Sequence, residues 1–552
     1  MTENPSSRDG IGVAGLAVCW LAFAGAALVL YQPALSGPFL SDDGHYVEQN
    51  RYVHELSLEN VQELLDPTGS VAIDVVNYAP AQLLVHALVW EAFGPETWGH
   101  HVVNVLLHAL GATLLIALFV ASGVPRTGAV VAGALFLLHP ANVEAVAWIS
   151  QLKSVLALPL TIGALLALAR RPALATGCFA LALLAKPTAV VALPAAALLE
   201  RARGSSDPRW RWLVGWTLLF VVFAAVEFTT HQRGGAAGAI LGEGPLSALR
   251  TMAALGSRYV AMAATGLGVS SFHELDPSGP LDFWWLAAWP LAIAVGWRFV
   301  SVFRRRRPEA AYWMWAAVGF APVSQIFPFL YPLADRYLYF ILPGLLGAVL
   351  LAGVDALARV PARRRRVLAR AAAVLGVALA VSFALRVPSR AAVWRSNAAL
   401  LVDAAHHYPD GRVANVLAAK RAAGRGDAAA AVAALRRAAD RGYNRFQQLE
   451  IDPSYASLRD VPAFRALVRE LAAAWIASGT AKTDPTPSEL RMLAHAHVSM
   501  GEPERALVLL DRAIATGGPY EPEIRADAAA IRAALRAGAP PDRVRLGING
   551  AP

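Results

Sequence analysis

Two adjacent carboxylates, Asp42 and Asp43, directly follow the first long apolar stretch of the chain. A carboxylate placed there can take a proton from a hydroxyl group and so activate that hydroxyl as a nucleophile. Ser-Asp-Asp is also a good N-cap sequence for a helix, which would give both residues a structural role. We predict a catalytic role for the pair, and the sequence does not rank one aspartate above the other.

Other ionisable side chains stand at the ends of apolar segments, where they could meet near one membrane surface. Lys153 and Lys186 could hold an anion, or could reach from helix ends to lipid headgroups. Arg336 could clamp a phosphate through two parallel hydrogen bonds, or could pair with Asp335 as structure. The predicted substrate-binding residues are His45, His139, Glu144, Lys153, Lys186, Asp335 and Arg336.

Metal binding has little support in the sequence. His139 and Glu144 are approximate neighbours on a helix face and could bond to each other rather than to substrate, and no second histidine or cysteine stands nearby at ligand spacing. Cys19 and Cys178 lie inside apolar segments, where a thiol behaves as a small hydrophobe. No cofactor is therefore firmly indicated, and a divalent cation is left as an option.

Membrane-spanning helices must position these side chains. The chain is 56% apolar and 16% charged, with a mean hydropathy of +0.44, outside the range of a water-soluble domain. Apolar stretches of roughly 17–25 residues, long enough to cross the hydrocarbon core, recur as far as about residue 386. About eleven spans are predicted, near 11–34, 98–120, 127–147, 151–169, 173–185, 187–200, 212–229, 281–303, 310–328, 337–357 and 368–386.

Arginine-rich connectors between these spans account for much of the net charge of +9. The positive-inside rule places such connectors in the cytoplasm, so the acidic segment 41–76 and the C-terminal part fall on the outer side, with the N-terminus inside. The segment 246–270 is interpreted as a surface helix because Arg250 and Arg258 interrupt it; if it crossed, the sidedness of everything later would change. No basic segment is interleaved with stacking aromatics, which argues against nucleic-acid binding.

The two predicted domains are residues 1–390 in the membrane and 391–552 outside it. The second is rich in Ala, Arg, Asp and Glu and contains an internal repeat: Gly426-Asp427 and Gly501-Glu502 are each followed by small and leucine residues at the same offsets. This pattern predicts helix–turn–helix units that stack like tetratricopeptide repeats into a solenoid able to bind a partner. A helical hairpin array without a ligand is the alternative.

Several motifs follow one another in a definite order along the chain. They are Asp42-Asp43 after the first span, Gly-x-His-x-Val-Asn-Val-Leu-Leu-His-Ala at 99–109, His-Pro-x3-Glu-x-Val-Ala-Trp at 139–148, Ala-Lys-Pro at 185–187, Asp-Arg-Tyr-Leu-Tyr at 335–339 and the trailing repeats. In this order the motifs resemble those of the transmembrane and tetratricopeptide-repeat-containing O-mannosyltransferases and their bacterial relatives. After Trp148 this chain has Leu152-Lys153-Ser154, where the relatives usually carry Arg-Lys-Asp.

The resemblance implies an all-α fold of the GT-C type followed by a helical solenoid. It also implies a lipid-linked sugar donor, a polyprenyl-phosphate sugar used on the outer face of the plasma membrane, and an inverting displacement in which Asp42 or Asp43 is the base. The implied acceptor is a Ser or Thr hydroxyl of an exported protein held by the repeats. Transfer to an envelope glycan or lipid, and a scaffold without enzymatic activity, are the alternatives.

Overall fold

The computed structural model describes residues 11–204, 209–234, 241–242, 244–326, 331–480, 482, 484–538 and 546. Every regular element in these ranges is a helix, and none of them contains a strand, so the predicted all-α class is confirmed. The α-helices of the first part are α1 (Val13–Leu30), α2 (Leu58–Leu65), α3 (Ser70–Val75), α4 (Pro80–Phe93), α5 (Thr97–Ala121), α6 (Arg126–Leu137), α7 (Asn142–Ala147), α8 (Leu152–Ala167), α9 (Pro172–Ala185), α10 (Ala192–Arg203), α11 (Trp210–Gly234), α12 (Pro245–Thr265), α13 (Phe283–Arg304), α14 (Glu309–Phe320), α15 (Leu338–Ala358) and α16 (Ala362–Val393). The later α-helices are α17 (Asn397–His407), α18 (Arg412–Gly424), α19 (Ala428–Asp440), α20 (Phe446–Ile451), α21 (Pro462–Thr480), α22 (Pro487–Ser499), α23 (Pro503–Thr516) and α24 (Glu521–Arg536).

Seven segments within the described ranges are long and apolar enough to cross a membrane, by length and composition. This finding indicates an integral membrane protein. The other four predicted spans contain α6, α9, α10 and α14, which have 12, 14, 12 and 12 residues, so the count of about eleven crossings stays a prediction. The seven segments are Val13–Leu30, Thr97–Ala121, Ile149–Ala167, Trp210–Gln232, Phe283–Arg304, Asp335–Ala358 and Ala362–Val393.

Prolines explain two of the shortened helices. α6 ends at Leu137, just before His139-Pro140, and α9 ends at Ala185, just before Lys186-Pro187. Proline has no N–H to donate, and it disfavours helical geometry in the residue before it; Lys186 is accordingly extended, with φ −159° and ψ 128°. The breaks place His139 and Lys186 at helix ends, beside the loops that form the candidate site.

The membrane helices differ in how much of their surface other helices cover. α5 and α8 are the most buried of the candidate spans, whereas α1, α13 and α16 are covered over a small part of their length. The outer surface of α13 exposes apolar side chains such as Leu286, Ile293 and Trp297. An apolar surface of this kind suits contact with lipid. α5 and α8 therefore form the centre of the bundle.

The segment 246–270 overlaps the helix α12, which is not among the candidate spans. Its interpretation as a surface helix stays a prediction. Tyr259 of α12 is buried, and its hydroxyl donates to the backbone oxygen of Ala334 and accepts from the backbone N–H of Ala334, both at 3.2 Å. α12 thereby fixes the loop that leads into Asp335 and Arg336.

The C-terminal helices contain both predicted helix–turn–helix units. α18 and α19 are joined at Gly426 (φ +76°), and α22 and α23 at Gly501 (φ +82°); a positive φ favours glycine at both turns. Stacking of these units into a solenoid like that of tetratricopeptide repeats stays a prediction, and the predicted boundary at residue 390 falls inside α16. The aligned repeat positions are all buried: Ala431, Leu435, Ala438, Ala506, Leu510 and Ala513.

Candidate active site

The loop after α1, residues 39–54, is called the base loop here because it carries Asp42 and Asp43. Asp43 is 1% exposed, and its two carboxylate oxygens accept backbone hydrogen bonds from Leu40 N at 2.8 Å and Ser150 N at 2.7 Å. Burial raises the pKa of Asp43 to about 7, while the two N–H donors act to lower that pKa. Asp43 thus joins the base loop to the start of α8.

Asp42 has a different environment from its neighbour. Its side chain is half-buried, and within the described residues the hydrogen bond to its carboxylate is a long one of 3.5 Å from Ser41 Oγ. Ser41 has a φ of +52°, which turns the chain sharply just before the two aspartates. Asp42 therefore keeps most of its hydrogen-bonding capacity for another group, whereas both oxygens of Asp43 are occupied.

The segment between α7 and α8 connects the base loop to the cationic residues of the site. Trp148 donates from its indole N–H to Leu40 O at 3.1 Å, and its ring stacks on Trp394 with centroids 5.5 Å apart. The guanidinium of Arg336 lies 5.3 Å from the Trp148 ring centroid. Trp148 therefore contacts both the base loop and Arg336.

Arg336 is paired with Glu144 rather than with Asp335. Its Nη1 donates to Glu144 Oε1 at 2.5 Å, and its backbone N–H donates to Glu144 Oε2 at 2.7 Å. The guanidinium also lies 5.2 Å from the ring centroid of Tyr331 and 4.9 Å from that of Tyr337. Aromatic faces stabilise the cation and hold it in one orientation.

Asp335 contacts the loop after α12 rather than Glu144. One of its carboxylate oxygens lies 2.7 Å from His273 Nε2, and the backbone N–H of Ser270 donates to both oxygens. His273 Nδ1 in turn lies 2.9 Å from the hydroxyl of Tyr408. Asp335 therefore holds the turn that presents Arg336, and its predicted contact with substrate stays a prediction.

Lys186 lies close enough to Lys153 and to Arg336 for the charges to interact. Lys186 Nζ donates to Ser154 Oγ at 2.7 Å, and Lys153 Nζ donates to the hydroxyl of Tyr46 at 3.0 Å, 4.5 Å from the centre of that ring. Burial lowers the pKa of Lys186 well below the ordinary lysine value, and the positive charges of Lys153 and Arg336 lower it further. We call Lys153, Lys186 and Arg336 the cation group.

His139 is placed apart from the cation group. It is 1% exposed, its Nε2 lies 3.2 Å from Ala263 O, and its Nδ1 accepts from Ala141 N at 3.2 Å. Both ring nitrogens thus have backbone partners, and the ring packs edge-on against Phe383 at 4.8 Å. The predicted contact between His139 and substrate stays untested, and the hydrogen bonds describe a residue that ties α12 to the end of α6.

The sequence did not point to the partner of His45. His45 is half-buried next to Asp42, and its Nδ1 is hydrogen-bonded to the hydroxyl of Tyr520, which lies between α23 and α24. Burial lowers the pKa of His45, and the negative charge of Asp42 acts to raise it. No repeat or spacing signals this pairing, because the two residues are separated by almost the whole chain.

Metal-ligand clusters are not found among the described residues: no group of three or more His, Cys, Asp and Glu side chains could hold an ion. The option of a divalent cation therefore gains no support from the geometry. The positive charge of this site comes from Lys153, Lys186 and Arg336.

Comparison with known proteins gives one sequence relative of clear similarity. The chain is 35% identical over 153 residues to protein O-mannosyl-transferase Tmtc1 of Drosophila melanogaster, a match that covers 27% of this chain and 17% of that protein. The match confirms, over that stretch, the resemblance predicted from the motifs. No family model matches the chain.

Solved structures of ArnT from Cupriavidus metallidurans are similar at a lower level. The form bound to undecaprenyl phosphate is 15% identical with a TM-score of 0.36, covering 90% of this chain and 89% of that one. The apo form is 16% identical with a TM-score of 0.35, covering 84% and 81%.

Proposed function

We propose that this protein is a membrane glycosyltransferase that transfers a sugar from a polyprenyl-phosphate donor to an acceptor hydroxyl, with inversion at the anomeric carbon. The O-mannosyl-transferase relative supports the class of reaction. The acceptor that we propose is a Ser or Thr hydroxyl of an exported protein, and the site would face the outer side of the plasma membrane. Lys153, Lys186 and Arg336 would hold the donor phosphate.

The observation that carries this proposal is an excess of positive charge beside the base loop. Lys186 interacts with two cations, Lys153 and Arg336, and with one carboxylate, Glu144. Glu227, whose Oε2 accepts a hydrogen bond from Tyr78 N at 2.8 Å, also interacts with Lys153, so the three cations of the group face two carboxylates. Unbalanced cations in a largely buried site are costly, and a phosphate group would offset that cost.

Asp42 is the better candidate for the general base. A pKa of about 7 would suit Asp43 to this role, since a base works best near the ambient pH. Geometry decides against it, because both oxygens of Asp43 are bonded to backbone N–H groups and the side chain is 1% exposed. Asp42 is more accessible and has one long hydrogen bond.

The proposed step is a single displacement. Asp42 takes the proton of the acceptor hydroxyl while the hydroxyl oxygen forms a bond to the anomeric carbon of the donor sugar. The bond from that carbon to the phosphate oxygen breaks, and polyprenyl phosphate leaves as an anion. Lys186, Lys153 and Arg336 stabilise the negative charge that develops on the phosphate, which is the main source of catalysis in such sites.

The test supplies the purified full-length protein with a radiolabelled polyprenyl-phosphate hexose and a mixture of Ser- and Thr-containing peptides. Asp42→Asn should lower the rate of transfer by roughly 10²–10⁴-fold, the usual contribution of a general base. Asp43→Asn is the matched control, because it makes the same chemical change at the neighbouring residue. Full turnover in Asp42→Asn would reject this base, and no turnover by the wild type with any such donor would reject the function.

A further inference from the structure

The C-terminal helices lie directly against the base loop. The hydroxyl of Tyr520 is bonded to His45 Nδ1, and the two rings meet edge to face, with centroids 5.3 Å apart and planes at 90°. Beside this contact Arg51 Nη2 lies 3.0 Å from Glu521 Oε2. The end of the base loop is thereby joined to the start of α24.

A second contact holds the segment that follows the base loop. Asp74 is 7% exposed, and its Oδ1 accepts from the backbone N–H of Ser488 at 3.3 Å and from Ser488 Oγ at 3.0 Å. Gly518 packs so closely on this carboxylate that an added Cβ would lie 3.0 Å from Asp74 Oδ2, and its φ of +130° also favours glycine. The start of α22 and the turn between α23 and α24 therefore pack directly against Asp74 in α3.

The C-terminal helices also contact the residues that hold the turn at Asp335 and Arg336. The hydroxyl of Tyr408, at the end of α17, lies 2.9 Å from His273 Nδ1, and His273 Nε2 lies 2.7 Å from Asp335, the residue before Arg336. Nearby, Glu274 accepts backbone hydrogen bonds from Arg412 N at 2.5 Å and Val413 N at 3.0 Å at the start of α18. Two tyrosines of the C-terminal helices thus contact residues next to the site: Tyr520 contacts His45, and Tyr408 contacts His273.

We propose that the C-terminal helices position the catalytic groups, with Tyr520 as the positioning residue for the base and Tyr408 as that for the cation group. This inference rests on the proposed function. A hydrogen bond to one nitrogen of an imidazole fixes both its orientation and its tautomer. Tyr520 would hold His45 beside Asp42, and Tyr408, through His273 and Asp335, would hold the turn that presents Arg336.

The arrangement gives the C-terminal domain a role beyond that of a docking surface for an acceptor. A domain that only recruits a partner need not touch residues adjacent to a catalytic base. Here single hydroxyl groups reach His45 on one flank and His273 on the other. Displacement of either brace would shift a reacting group, and small shifts of this kind have large effects on rate.

The experiment uses phenylalanine variants of the full-length protein, since phenylalanine removes the hydroxyl and keeps the ring. Tyr520→Phe should lower kcat by roughly 10–100-fold with an unchanged donor KM, because only the base is misplaced. Tyr408→Phe should mainly raise the donor KM, because it loosens the cation group. Tyr455→Phe is the control: its buried hydroxyl bonds to Val416 O at 3.4 Å within the C-terminal helices, so its kinetics should match the wild type.

A second measurement does not depend on turnover. Hydrogen exchange of the backbone amides in residues 41–53 should become faster in Tyr520→Phe and stay at the wild-type rate in Tyr455→Phe. Wild-type kcat in Tyr520→Phe, or unchanged exchange in that variant, would overturn the inference. An inactive wild-type protein would reject the proposed function instead, and the exchange rates would still decide whether Tyr520 holds the base loop.

Discussion

Beside each end of α15 an arginine is paired with a buried carboxylate, yet the two clusters differ in charge balance. At its start, Arg336 is bonded to Glu144 beside Lys153 and Lys186. Near the other end of α15, Asp355 accepts a hydrogen bond from Arg298 of α13. The two ends of α15 are about 30 Å apart, at a rise of 1.5 Å per residue. The same type of ion pair therefore occurs at both ends of one membrane helix.

The cluster at the end of α15 is neutral. Arg298 forms a two-pronged pair with Glu309, with Nε–Oε1 at 2.8 Å and Nη2–Oε2 at 2.6 Å, and its Nη2 also donates to Asp355 at 3.0 Å. Arg359 adds a second bond to Asp355 at 2.7 Å. Two guanidinium groups thus face two carboxylates, and the cluster has no charge left to attract a ligand.

At the start of α15 the carboxylate that pairs with the cation group is Glu144, which is bonded to Arg336, while Asp335 is hydrogen-bonded to His273 instead. Lys153 and Lys186 donate to the hydroxyl groups of Tyr46 and Ser154, so neither ammonium is bonded to a carboxylate there. A buried carboxylate paired with an arginine does not by itself indicate a binding site, since such a pair occurs beside both ends of α15. We propose that the unbalanced charge distinguishes the cluster that binds an anion from the cluster that joins helices.

The largest expected effect on stability is at the neutral end. Arg298→Met leaves Glu309, whose side chain is 3% exposed, without its guanidinium, and breaking a buried pair typically costs about 3–5 kcal/mol. Chemical denaturation in detergent should show a loss of this size, while the donor KM of the folded fraction stays at the wild-type value. Arg304→Met, at an exposed site on the same helix, is the control; an equal loss there, or a raised donor KM in Arg298→Met, would contradict the assignment.

Removal of one cation from the other end should affect binding rather than stability. Lys186→Met deletes a charge that Lys153 and Arg336 already repel. A hydrogen bond to a charged group contributes about 1.5–3 kcal/mol, so the donor KM should rise roughly 10- to 100-fold. The free energy of unfolding should not fall. Arg359→Met, which removes an exposed charge at the neutral end, should leave the donor KM unchanged, and a similar rise in both variants would remove the distinction.

The depressed pKa of Lys186 gives a pH dependence of known sign. Without donor, Lys186 loses its proton at a pH below the ordinary lysine value of 10.5, and a bound phosphate raises that pKa again. Donor affinity should therefore fall as the pH rises through the lowered pKa, by up to about tenfold per pH unit. Measurements of donor KM over a series of pH values below 10.5 check this. A slope that persists in Lys186→Met would assign the dependence to another group.

Much of the candidate site could be predicted from the sequence. The three cations Lys153, Lys186 and Arg336 each stand at the end of an apolar segment. Because successive spans cross the membrane in alternate directions, the ends of the segments lie at one membrane surface or the other. The order of the motifs gave the same residues. The structure brings these three together, and it also places Asp42 and His45 in one loop.

The remaining features depend on tertiary contacts that leave no local pattern. Asp42 and Asp43 are adjacent and chemically equal, and they differ because the N–H groups of Leu40 and Ser150 surround one of them. The pairing of His45 with Tyr520 joins two ends of the chain. The choice of Glu144 over Asp335 as partner of Arg336 depends on the fold of the His139-Pro140 turn, which periodicity does not describe.

The smallest expected effect concerns Asp43, which holds the base loop through backbone hydrogen bonds rather than ion pairs. The pKa of Asp43 in the folded protein, about 7, lies above its ordinary value of 3.8, so its stabilising contribution is complete below that ordinary value and is lost as the pH rises to about 7.

In Asp43→Asn the side-chain amide would offer one oxygen to two N–H donors, because its nitrogen cannot accept, and one lost bond costs about 1 kcal/mol. The variant should therefore be less stable than the wild type by about that amount at pH 5, and the gap should narrow or reverse at pH 8, where the buried wild-type carboxylate is charged. Denaturation curves at the two pH values measure this gap, and a gap of equal size at both would show that the carboxyl group of Asp43 does not titrate in the folded protein.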